Sequence, residues 1–440
     1  MIRNHMMRIL AFVMVFAMLA TMISCDRNGG GSSEVSKTSG SELDSTACLK
    51  VWFTMNTAEN DALQKIADDF KDETGVTVEI LDSNFFSIRQ KFPVSAQSSQ
   101  KPDIVYIQSA DLGVLASNGY LRTINWLEPS ITDRFYDMAF SAMEYEGDNY
   151  GVGYSIDSYG ILYNKALVSE IPATWSEYFA KAEEMTVREG DEITRYGTQI
   201  APNNYWFIYP LIRNEGGYYF GQRTDGTYDS SDIGLDNSGT IAAINKLLAL
   251  KDKGLTTGSH TETDSNVSAR FSNGKIAMFI YGLWDAAIYK SKGVDYGYAP
   301  LPANDDGSPS KPLATVQGFV LNKFTDCPDE ADAFLRYILQ DEHQEILYKA
   351  GNGGDNKTGA RNTCNKAVAG SSYVQESELL KSLISVSLTS EVFPTIPEAV
   401  IIWNYSSTVL NSIFFKDASA ADKLKEFADA VKSDIEMMKN

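Results

Sequence analysis

The sequence predicts an α/β protein with largely parallel sheets, and three observations predict it. A strand, a helix and a second strand follow one another within residues 51–80, and the same alternation returns over residues 103–119. The chain is 440 residues long, too many for one ordinary hydrophobic core, so two domains or lobes are expected. With 43% hydrophobic and 22% charged residues, the composition is that of a globular protein.

The elements can be justified in order. Arg3 and Arg8 precede an apolar run, Ile9 to Ile23, that ends at Ser24-Cys25. A small residue beside that end favours a cleaved export signal over a retained helix, so residues 1–24 read as a signal peptide. Met22-Ile23-Ser24-Cys25 resembles a bacterial lipobox, which implies that Cys25 is lipidated and becomes the first mature residue. Residues 25–46 are rich in Gly, Ser and Thr and read as a flexible tether, with order expected from about Leu49. Val51-Trp52-Phe53 is a strand signal. Ala62, Leu63, Ile66, Ala67 and Phe70 then fall on one helical stripe, which Gly75 stops, and Val76 to Ile80 is a second strand. Asp103 to Ile107 reads as a buried strand and Leu112 to Asn118 as a helix closed by Gly119. Further strands are expected at Ile161 to Tyr163 and Lys275 to Ile280. Thr174-Trp175-Ser176-Glu177 has the form of a helix capping box, and helical periodicity runs over Ile241 to Leu250, Asp329 to Leu339 and Pro397 to Ile413.

Charge and cysteine use narrow the function. Residues 1–24 carry two positive charges and no negative one, so their removal takes the formal net charge from −20 to −22. Such a surface repels phosphate backbones and anionic headgroups, which excludes nucleic acid as a partner and leaves membrane attachment to the lipid on Cys25. Several acyl chains anchor far better than one, because each buried methylene contributes about 0.8 kcal/mol. Beyond Cys25 remain Cys48, Cys327 and Cys364, an odd number that allows at most one bridge and favours no pair. There is no CxxC, and the mature region holds only His260 and His343, so no structural metal and no cofactor is expected.

Collinear fragments go further. They include Phe70 to Val76, Lys101 to Val105, Ser117 to Leu121, Leu162 to Lys165, Tyr209 to Ile212, Phe271 to Met278, Gly282-Leu283-Trp284, and Pro394 to Pro397 followed by Trp403. In this order they resemble the bacterial extracellular solute-binding proteins of the maltose/maltodextrin type, the capture components of ABC sugar importers. The resemblance spans essentially the whole mature chain. It implies the two-lobe type II periplasmic-binding fold, with a ligand cleft between lobes comprising residues 47–157 with 315–371 and 158–314 with 372–440. It further implies an oligosaccharide ligand, ABC permease subunits as partners, a monomer anchored on the outer face of the cytoplasmic membrane, and no catalysis.

A pyranose presents hydroxyls at its rim and C–H groups on its faces, so its site needs aromatic planes together with carboxylates or amides. The resemblance puts stacking aromatics at Trp284, Trp403 and Trp206 and a hydroxyl-binding acid at Asp157. Trp403 lies about 100° around its helix from Ile402, at the edge of the stripe formed by Ile402, Tyr405, Val409 and Ile413. Several charged positions of the family are replaced here, by Asn56 and Thr57, by Asn204, and by Ala110 with Asp111; Ile107 stands where the family has a tryptophan. Asn56, Thr57, Asn204, Gln108, Ser109 and Asp111 are the remaining binding candidates, while Trp52, Trp126 and Trp175 read as structural.

Rival classes leave weaker traces. No Gly-x-Ser-x-Gly and no His-Glu-x-x-His occurs, though a glycan-acting enzyme needs only two well-separated carboxylates among 58 acids. A polyamine or peptide suits an acidic cleft, and Tyr218-Tyr219 suggests ferric iron, although packing explains the pair as well. A surface lipoprotein that holds a host or partner protein is the third class.

Overall fold

The computed structural model describes residues 43–224 and 226–439. The expected signal peptide, Cys25 and the tether as far as residue 42 lie outside the described residues. The described residues form one compact unit. Order starts earlier than the composition of the tether suggests: Leu43 packs against the first core, and the Asp44 N–H donates to Glu330 at 2.8 Å. None of the helices among the described residues is long and apolar enough to cross a membrane.

Strand β1 (Cys48–Trp52) leads into α1 (Thr57–Thr74), which returns to β2 (Thr77–Leu81). Asn56 starts α1 as its N-cap: its Oδ1 accepts the Glu59 N–H at 2.9 Å, and the Glu59 carboxylate reaches back to the Asn56 amide at 2.7 Å. Leu63, Ile66, Ala67 and Phe70 are buried as the stripe predicts. Gly75 ends the helix at φ 83°, where a Cβ would be strained and would meet Ser45 at 2.7 Å. Strand β3 (Ile104–Gln108) pairs parallel with β1, as β2 does on the other side.

Two long strands link the halves. β4 (Gly151–Ser158) and β8 (Leu313–Asn322) pair antiparallel, with Asp157 opposite Thr315. Ile156 and Ala314 belong to one hydrophobic core, whereas Tyr159 and Leu313 belong to the other, so the chain crosses between cores at this paired position. β8 also runs antiparallel to β3. The first sheet is therefore mixed. On the far side, β5 (Gly160–Asn164) lies between β6 (Met278–Tyr281) and β7 (Tyr296–Ala299), antiparallel to both. The expectation of largely parallel pairing holds for β1, β2 and β3 and fails for this sheet. A buried strand is equally apolar in either direction, and its sense depends on the end at which the preceding helix delivers the chain.

Other differences are local. The expected strand at Lys275 begins only at Met278, because Ile276 instead bridges to Tyr196. The helix from Pro397 opens as a 3-10 turn and becomes α-helical at Ile401. The Thr174 capping box forms. Trp126 donates to Asp332 and Trp175 to Ser310, each at 2.7 Å, which suits structural roles. Tyr219 stacks on Tyr209 at 4.4 Å while the Tyr218 hydroxyl donates to Asp232, so this tandem serves packing. Cys48, Cys327 and Cys364 are unbridged.

Candidate functional site

A cleft of about 1080 Å³ opens between the two cores, and its walls differ in chemistry. The aromatic wall starts with Asn204, the N-cap of the helix Tyr205–Asn214, whose Oδ1 accepts the Trp206 N–H at 3.0 Å. That cap sets the first helical turn so that Tyr205 is buried while Trp206 and Phe207 line the cleft. Trp206 lies 6.4 Å from Trp403, and Trp403 stacks on Phe393 at 5.2 Å and 27°. Trp284 lies 6.1 Å from Phe207 and 4.8 Å from Tyr281, and remains 42% exposed. Its indole covers Gly282 so closely that a Cβ there would come within 1.8 Å of the ring.

The facing wall is polar. Asp157, at the crossing between cores, accepts a hydrogen bond from the Gln317 side-chain amide and lies 3.8 Å from the Arg361 guanidinium. Burial pushes its carboxyl above the ordinary aspartate range, against the opposing pull of Arg361. Arg361 is itself clamped by Glu59, with Nε–Oε1 at 2.8 Å and Nη2–Oε2 at 3.1 Å, and it donates to Gln317 at 3.2 Å. Tyr154 donates to Glu59 and Tyr106 to Gln317, so the fully buried Glu59 carboxylate and the Gln317 amide oxygen are both held. This network fixes hydrogen-bonding groups at the cleft floor without leaving a bare buried charge.

Of the residues singled out from the sequence, Trp206, Trp284, Trp403, Asp157, Asn56 and Gln108 line the cleft. The other candidates do not. Asn204 sits behind the aromatic wall, its amide donating at 2.6 Å to Asp264, whose carboxyl burial pushes up to about 6. Thr57 is the exposed first residue of α1. Ser109 is fully buried and accepts the Val316 N–H at 3.0 Å, and Asp111 faces Arg89 at 3.7 Å. Between them, Ala110 reaches the cleft. Even Asn56, at the rim, spends its side chain on capping α1.

Arg361, Glu59 and Gln317 were not among the residues singled out. Arg361 lies in a loop with no periodicity, 302 residues from Glu59. A signal was nevertheless present: Glu59 sits four residues before Leu63 and so extends the buried stripe of α1. An acid in that position requires a cationic partner.

Comparison with known proteins agrees with this architecture. Maltodextrin-binding protein MdxE of Bacillus subtilis is 29% identical over 375 residues, covering 84% of this chain and 85% of that protein. A maltooligosaccharide ABC transporter solute-binding lipoprotein of Streptococcus pneumoniae is 26% identical over 352 residues, covering 79% and 80%. Among solved structures, a cyclo/maltodextrin-binding protein complexed with maltotetraose superposes with a TM-score of 0.81 at 23% identity, covering 92% of this chain and all of that one. At that identity the likeness speaks for the fold, the two-lobe type II periplasmic-binding architecture. A family model described as bacterial extracellular solute-binding protein matches residues 65–370. That span takes in Asp157, Trp206, Trp284 and Arg361 of the cleft lining, while Asn56, Phe393 and Trp403 fall outside it, and the chain belongs to the bacterial extracellular solute-binding proteins.

Proposed function

We propose that this protein captures an oligosaccharide of the maltodextrin class outside the cytoplasmic membrane and delivers it to an ABC permease, acting as a monomer tethered through lipidated Cys25. One observation carries the ligand class: Trp206, Trp284 and Trp403 line one wall of a cleft whose opposite wall offers Asp157 and Gln108. Flat apolar planes match the C–H faces of pyranose rings, and the carboxylate and amide match their hydroxyls. The names of the relatives, which bind maltodextrin and maltooligosaccharides, favour the same cargo, and the word lipoprotein in one of them favours the anchor. The lobes of this reading are residues 47–157 with 315–371 and residues 158–314 with 372–440. They close on ligand by bending where the paired strands β4 and β8 pass from one core to the other, and the permease reads the closed form.

Maltose, maltotriose, maltotetraose and galacto-oligosaccharides, titrated by calorimetry and thermal shift, test the reading. At about 100 times Kd a cognate ligand adds about 2.7 kcal/mol to the folded state. Malto-oligosaccharides are expected to give the largest shift, and no response to any saccharide would end the carbohydrate assignment.

Gly282→Ala is a more local test. The added methyl displaces the Trp284 indole, so maltotriose affinity is expected to fall about as far as in Trp284→Ala, while the melting temperature stays near that of the parent protein. Calorimetry beside thermal melts checks it, and unchanged affinity would mean that the indole's seat does not matter.

A further inference from the structure

The two walls leave one aromatic residue unexplained. Phe86 lies on the 3-10 turn Phe85–Ser87, ahead of the helix Ile88–Ser95, and lines the cleft while 86% exposed. Trp206, Phe207, Trp284, Phe393 and Trp403 all stand on the opposite wall, so among the described lining residues Phe86 is the aromatic that the polar wall supplies. The turn that carries it is held on either side of Phe86. The Thr54 hydroxyl donates to Asp82 at 2.7 Å and accepts the Ser83 N–H at 2.6 Å, and the Ser87 N–H donates to the Asn84 carbonyl at 3.0 Å. An anchored turn thus presents a phenyl ring to the cleft mouth, where it forgoes the burial that an aromatic side chain ordinarily finds.

A pyranose has two faces, and the tryptophan wall can cover only one. The other meets Asp82, Asn84 and Asp157, which suit rim hydroxyls and not C–H groups. We propose that Phe86 is the second stacking plane, closing on the outer face of a saccharide ring already seated against the tryptophans. This inference rests on the oligosaccharide reading and adds a residue that sets how long the ligand is held. Because Phe86 stands on the other side of the gap, its contact forms when the cleft narrows, so it acts on release more than on capture.

The test follows maltotriose and maltotetraose by calorimetry and by stopped-flow tryptophan fluorescence in the parent protein, Phe86→Ala, Phe86→Leu and Phe86→Trp. Phe86→Ala is expected to weaken binding about tenfold, the low end for losing a buried aromatic contact, mainly through faster release. Phe86→Leu keeps apolar bulk without a plane and is expected to remain weakened, whereas Phe86→Trp is expected to bind at least as tightly as the parent. The exposed position makes misfolding an unimportant complication. If the parent binds and Phe86→Ala or Phe86→Leu matches it in affinity and release, this inference falls alone. If the parent binds no saccharide, the oligosaccharide reading falls, and this inference with it.

Discussion

Replacing Arg361 by methionine is expected to destabilise the protein by about 3–5 kcal/mol, the usual cost of removing one partner from a buried ion pair. The reason is the position of Glu59. Its carboxylate is fully buried on α1, and Arg361 meets both of its oxygens. Without the guanidinium, one hydrogen bond from Tyr154 is all that the described contacts leave to the acid from outside its own helix end. Urea unfolding at constant m-value measures the effect, and a loss below about 1 kcal/mol would show that the pair is not structurally required. A second variant separates charge from packing. Glu59→Leu combined with Arg361→Met removes both charges, and is expected to recover at least half of the single-variant loss, because two apolar groups of similar size need no compensation.

Trp284→Ala and Trp403→Ala are each expected to weaken maltotriose binding by about 1–3 kcal/mol, the scale of burying an aromatic contact. They should differ in their effect on the fold. Trp284 is 42% exposed at the cleft edge, so its removal leaves stability nearly unchanged. Trp403 stacks on fully buried Phe393 and packs against the second core, so its removal also costs stability, and only the binding measured well below the unfolding transition reports on the ligand. Calorimetry paired with denaturant unfolding distinguishes the two. Unchanged affinity in both variants would remove the aromatic wall from the site.

What sequence reasoning found in the cleft follows from the kind of evidence each residue leaves. Trp206, Trp284 and Trp403 stood out because an aromatic residue inside a collinear motif is a local fact. Ser109, Asp111 and Asn204 were singled out only as polar residues at or beside positions where the resemblance expects charged sugar contacts, and they face inward or sideways. A shift of one residue along a loop turns a side chain from cleft to core, and a loop has no period from which to read that orientation. Gln317 and Arg361 were missed for the opposite reason, since their importance lies in partners hundreds of residues away.

By itself the sequence determined the alternation of strands and helices, the stripe of α1, its stop at Gly75 and the cap at Thr174, because periodicity and capping act over a few residues. Through its motifs it also determined the family. Only the tertiary structure decided the antiparallel sense of β5, β6 and β7, the antiparallel pairing of β4 with β8, the Glu59–Arg361 clamp, and the placing of Phe86 across the gap from the tryptophans. Each of these depends on where distant segments meet in space, and that is set by the joint packing of both cores, which no short stretch of chain encodes.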